Sequence, residues 1–146
     1  MRITIAFIML AAASVTMNSS ASAANFFHSV KDKTVVKECG ACHMVYPPSL
    51  LPARSWKKII DHLGDHFGEV ATLPEPARIA ILGFYGRGAA DGSSSDGWFM
   101  RGVRPADTPA RITHMPFWRA IHGGFSAASF KRPGVKKPGN CIGCHG

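Results

Sequence analysis

The sequence predicts a mostly α-helical chain with long loops, arranged as two halves around one repeated motif. Three observations carry this. Several stretches place apolar residues at helical spacing, and none shows the sustained apolar/polar alternation of a strand. A Gly- and Ser-rich stretch from Ala89 to Gly97 divides the chain. The motif stands once on each side of it, as Cys39-Gly40-Ala41-Cys42-His43 and as Cys141-Ile142-Gly143-Cys144-His145.

Each copy is a C-x-x-C-H, the attachment site of a c-type haem. Its two thiols add across the porphyrin vinyl groups, and the following His offers an imidazole to the iron. All four cysteines of the chain lie in the two copies. Two other readings use the same residues. One zinc site could draw thiolates, or thiolates and imidazoles, from both motifs. Two disulfides could use all four thiols. An all-thiolate site or a disulfide pair leaves the His after each motif incidental. The reading that uses every residue is a cytochrome c-like fold with two covalently bound haem c groups. Cys39, Cys42, Cys141 and Cys144 then bind the porphyrins, and His43 and His145 are the proximal iron ligands.

The N-terminus agrees. Met1-Arg2 is a short basic start, Ile5 to Ala13 is unbroken apolar sequence, and Ala21-Ser22-Ala23 is a small-x-small cleavage site. Residues 1–23 read as a secretory signal peptide. The apolar run is short for a membrane span, though an uncleaved anchor is the other reading. Bacteria attach haem c after export, so a periplasmic mature chain without a membrane span is expected. Seventeen Lys and Arg stand against nine Asp and Glu, a net +8; losing Arg2 with the signal leaves sixteen against nine, or +7. Export and haem argue against nucleic acid as the partner. The basic surface either steers an acidic redox partner or is merely solvated. The mature chain is short, so the haems should form much of its core.

The elements follow in order. Asn25 to Glu38 should be a helix leading into the first motif. Tyr46-Pro47-Pro48 breaks regular structure. A clear amphipathic helix follows, with Ser55 as N-cap and Trp56, Ile59, Ile60, Leu63 and Phe67 on one face. A second runs from Pro76 to Tyr85, with Ile79, Leu82 and Tyr85 apolar, and Gly86-Arg87-Gly88 ends it. The halves are then residues 24–90 and 98–146, joined by a flexible linker at 91–97. Thr108-Pro109 should open a helix. A short helix Pro116 to His122 follows, stopped by Gly123-Gly124. Lys131 to Gly139 reads as an extended loop before the second motif.

Each iron has a face opposite its proximal ligand. His62 and His66 lie four apart near the end of the amphipathic helix, and His66 lies closer to its apolar stripe. It is the better distal ligand for the first haem, with a buried core histidine or helix cap as the other reading; His62 should face solvent. For the second haem the distal ligand must come from upstream. His122 ends a short apolar helix carrying Phe117, Trp118 and Ile121, and His114 is its rival. Met100 and Met115 are weaker candidates, because Met more often fills cores.

Several stretches resemble the small bacterial dihaem cytochromes c that work beside an oxygen-binding monohaem cytochrome c. They are Glu38 through Met44, Tyr46-Pro47-Pro48, Leu51 through Trp56, His66-Phe67-Gly68, Arg111-Ile112-Thr113 through His122, and Asn140 through His145. The resemblance covers nearly all of the mature chain. It implies two bis-His haems, with His66 and His122 distal. His62 and His114 fall where the family pattern asks for no His. It also implies an electron carrier rather than an enzyme, since two His per iron leave no open position. The implied partner is an oxygen-binding monohaem cytochrome c, with a membrane cytochrome b as candidate donor. The alternatives are a small electron-donating subunit of a periplasmic reductase of the nitrate-reductase type, and a gas-binding or catalytic haem protein.

Overall fold

The computed structural model describes residues 26, 27, 29–92 and 97–146. The expected signal peptide, His28 and residues 93–96 of the expected linker lie outside the described residues. The helices are α1 Lys33–Cys39, α2 Ala53–Asp61, α3 Glu75–Arg87, α4 Pro116–His122, α5 Ala127–Phe130 and α6 Ile142–His145. Single 3₁₀ turns at Pro48–Leu50, Leu63–Asp65, Trp98–Met100 and Ile112–His114 punctuate the loops. Among the described residues no strand forms, and an isolated bridge joins His66 to Glu69. None of the described helices is long and apolar enough to cross a membrane.

The core sits where α2 packs on α3. α2 buries Trp56 and Ile60, and α3 buries Ile81 and Tyr85. The Trp56 and Tyr85 rings pack 4.2 Å apart, and Trp56 Nε1 donates to the Pro48 carbonyl at 2.7 Å. Val35 of α1, Leu51, Ala89 and Met115 complete the cluster. Each fully buried Leu or Ile here contributes about 1.5–3 kcal/mol. Met115 is fully buried beside residues that precede the expected linker, so one core draws on both sides of it. Arg54 reinforces this: its guanidinium donates to the carbonyls of Asp107 and Arg104 at 2.7 and 3.2 Å.

Several expected boundaries move. The expected helix from Asn25 to Glu38 is interrupted: Phe26 and Phe27 are helical, residues 29–32 are not, and α1 starts at Lys33, where the Asp32 carboxylate accepts from Val35 N. Ser55 is not an N-cap; it lies inside α2, fully buried. Pro52 stands at that cap, and the Ala53 N–H goes to Asp91 Oδ1 at 2.7 Å, thirty-eight residues away. Asp91 and the buried Ala89 and Ala90 are therefore anchored, although composition marks them as linker. α2 stops at Asp61, where His62 leaves helical backbone, so Phe67 is not on its stripe. α3 extends past Tyr85 to Arg87, and it buries Ile81 while Ile79 is exposed. Thr108-Pro109 opens no helix: Arg54 takes the Asp107 carbonyl, and Arg111 is extended. α4 matches its expected span. Residues 131–139 form successive turns rather than an extended loop, preceded by the unforeseen α5, which Ser126 caps.

Candidate functional site

The first motif begins at the last residue of α1, Cys39, and unwinds through a turn to His43. His43 Nδ1 lies 2.6 Å from the Met44 carbonyl. That bond places the proton on Nδ1 and leaves Nε2 with its lone pair, the form a metal ligand needs. The Tyr46 ring packs 5.2 Å from that of His43.

His66 reaches this site by a route the helical pattern did not predict. Beyond α2 the chain folds into a two-residue hairpin. His66 N donates to Glu69 O at 2.7 Å, and Glu69 N donates back to His66 O at 3.3 Å. The two loop residues, Phe67 and Gly68, have φ of 60° and 99°. Positive φ at both positions is the type I′ pattern, which favours Asn-Gly. Phe in the left-handed region costs about 1–2 kcal/mol. The turn aims His66 at His43, with ring centroids 6.2 Å apart and planes at 22°. His66 Nδ1 is buried without a hydrogen-bond partner. Burial, and then His43, lower the His66 pKa and keep its ring neutral.

The second motif is α6 with Cys141 before it. The turns at 132–137 wrap it closely: a Cβ on Gly143 would lie 2.6 Å from the Gly134 carbonyl and 2.9 Å from Val135 Cα. Asn140 Nδ2 donates to the Val135 carbonyl at 3.0 Å and holds that loop. His122, at the end of α4, stands 6.2 Å from His145, with the ring planes at 86°. His122 Nδ1 bonds to the Trp118 carbonyl at 3.0 Å, and its ring stacks 4.5 Å from the Trp118 indole. Its Nε2 is again the nitrogen with the free lone pair. Phe27 packs 5.3 Å from His145. Burial, and then His122, lower the His145 pKa.

The thiols of both motifs are unpaired. Burial, with Glu38 nearby, raises the pKa of Cys39. Burial, with Cys144 nearby, pushes Cys141 up to about 11. A four-ligand zinc site needs its donors converged, yet among the described residues no three of His, Cys, Asp and Glu gather around one point.

The paired histidines fit an iron between them. An imidazole nitrogen bonds a metal at about 2.0 Å, and the ring centre lies roughly 1.1 Å behind it. Two rings sharing one metal from opposite faces then stand about 6 Å apart, the spacing of both pairs. Each pair joins a motif histidine to a histidine of distant sequence, and each has cysteines beside it for a porphyrin. His62 is exposed, its Nδ1 turned back to the Lys58 carbonyl. His114 is exposed on its 3₁₀ turn. Met115 is in the core. Sequence reasoning missed Tyr46, three residues beyond His43, because Tyr46-Pro47-Pro48 read only as a break in regular structure, and it missed Phe27 because its contact with His145 is long-range and carries no local pattern.

A family model described as dihaem cytochrome c matches residues 35–146. The solved diheme cytochrome c from Rhodobacter sphaeroides is similar, at 40% identity and a TM-score of 0.72, over 79% of this chain and 90% of that one. A crystal structure of DHC purified from Rhodobacter sphaeroides aligns at 35% identity and 0.65, with the same coverage. The diheme cytochrome c sb-DHC of Shewanella baltica OS155 aligns at 29% identity and 0.62, over 78% of this chain and 80% of that one. No curated protein matches this chain.

Proposed function

We propose, from the premise that this chain belongs to the dihaem cytochrome c family, that it carries electrons between periplasmic redox partners without catalysing a reaction itself. One observation carries this reading: both motif histidines face a second histidine at 6.2 Å. Cys39 and Cys42 would hold one haem c, with His43 and His66 as axial ligands. Cys141 and Cys144 would hold the other, with His145 and His122. Each haem supplies a one-electron Fe(III)/Fe(II) couple.

The remaining work is done by the chain. It orients His43 and His122 through a backbone carbonyl and His66 through a tight turn, and packs Phe27 against His145. With two histidines at each iron, no position would be left for substrate or gas. Imidazole also lacks the thioether that raises haem potential, so both centres should be low-potential. The partner we infer from the resemblance is an oxygen-binding monohaem cytochrome c, with a membrane cytochrome b as donor.

Carbon monoxide tests the axial assignment. The ferrous protein should bind it slowly and in small fraction, as two six-coordinate irons require. Rapid stoichiometric binding at one haem would sink the carrier-only reading and favour a gas-binding protein.

A further inference from the structure

Phe67 holds an unfavourable left-handed backbone, yet the residue is 47% exposed, so burial alone does not keep it there. Two neighbours account for its position. One face lies under the Arg111 guanidinium, 4.3 Å from the ring centroid. The ring also meets His66 at 4.9 Å, edge-on at 62°. Two short steps therefore connect a full positive charge to the distal histidine of the first site. Arg111 is exposed. Arg54, Arg78 and Arg104 each pair with a carboxylate, whereas Arg111 has no carboxylate partner among the described residues. Its charge is held on an aromatic face and is not neutralised.

We propose that Arg111, seated on Phe67, sets the reduction potential of the first haem. This rests on the reading of His43 and His66 as that haem's ligands. Ferric haem carries one more positive charge than ferrous haem. A fixed cation nearby disfavours the ferric state and raises the potential. At this range, with the screening of a surface site, the effect is roughly tenfold in the redox equilibrium, or about 59 mV for one electron. Arg111 touches no reacting atom; it is a positioning residue that acts through charge.

A redox titration of the holoprotein followed by electron paramagnetic resonance reads the two sites separately. Imidazole planes near 22° lift the degeneracy of the iron π orbitals, and planes near 86° nearly restore it, so the two ferric signals differ. Arg111→Gln should lower the potential of the near-parallel site by about tenfold in the redox equilibrium, and that of the other site by less than about twofold. Arg111→Lys keeps the charge and should stay within about twofold of wild type at both sites. Phe67→Leu removes the platform and should lower the same potential as Arg111→Gln, which keeps the question open to test if the Arg111 variant fails to take up haem.

Unchanged potentials in Arg111→Gln would overturn the proposal. So would equal shifts at both sites, or a shift in Arg111→Lys as large as in Arg111→Gln. Failure of the bis-His reading would look different: the wild-type protein itself would lack two low-spin ferric signals.

Discussion

Tyr46 and Gly139, ninety-three residues apart, are joined by a 2.8 Å hydrogen bond from the phenol to the carbonyl. The same Tyr46 ring packs on His43, and the same carbonyl lies 3.7 Å from Cys141 Sγ. One side chain thus ties His43 of the first motif to the segment that leads into the second. Burial, and then Cys141, raise the Tyr46 pKa, so the hydroxyl stays protonated and keeps donating at neutral pH. Tyr46→Phe keeps the ring and removes the donor. It should cost the holoprotein about 1 kcal/mol, seen as a lower denaturation midpoint in urea, with both haems still low-spin. An unchanged midpoint would show that the bond contributes nothing net.

Gly143 has no room for a side chain. Its missing Cβ would press on the Gly134 carbonyl and Val135 Cα, which are backbone and cannot swing aside. Gly143→Ala should loosen the 132–137 turns from α6 and impair attachment at Cys141 and Cys144. The expected readout is a haem-to-protein ratio that falls from two toward one, by pyridine haemochrome assay. A full complement of two would mean that the loop gives way without disturbing the motif.

The histidine assignment separates by single substitutions. His66→Ala should open the first iron and His122→Ala the second, each producing one high-spin haem that binds carbon monoxide. His62→Ala and His114→Ala should leave both haems low-spin, since both residues are exposed and the His62 Nδ1 is turned back to the Lys58 carbonyl. A fully low-spin His66→Ala protein would remove His66 from the site. Loss of low-spin iron in His114→Ala, with retention in His122→Ala, would exchange those two roles.

These assignments also show what the sequence carries and what it hides. The two C-x-x-C-H motifs are local chemistry, so they are legible without a fold. The span of α4 was equally legible, because Pro116 opens it and Gly123 closes it. His66 shows the opposite case. Helical periodicity selected it over His62, but the helix stops at Asp61 and a hairpin turn aims the ring. Residue type and position were readable; the backbone that aims the ring was not, because Phe67-Gly68 does not look like a type I′ loop. The cap of α2 was hidden for another reason. Asp91 supplies it from thirty-eight residues away, and no local signal reports a partner at that distance. Composition likewise marked Ala89 to Asp91 as linker, although packing on Leu51 and α2 fixes them.

The charge of the second site yields the last prediction. Lys131, Arg132, Lys136 and Lys137 are all exposed on the turns that wrap α6, and the Arg132 guanidinium reaches within 3.7 Å of Cys144 Sγ. The basic loop therefore lies against the second motif in space, where a haem held by Cys141 and Cys144 would have its edge, and not merely near it in sequence. Exposed charges act over about 10 Å at 0.1 M salt, so the loop's field reaches any molecule that docks at that edge. A negatively charged oxidant such as ferricyanide should take electrons faster at low ionic strength, and a positively charged cobalt complex slower. Replacing the four residues by Gln should flatten both salt dependences while leaving the haem content and low-spin spectra intact. Stopped-flow oxidation across a salt series provides the measurement. If ferricyanide rates are insensitive to salt in the native protein, or keep their full salt dependence in the Gln variant, the loop does not steer the encounter and its charge serves only solubility.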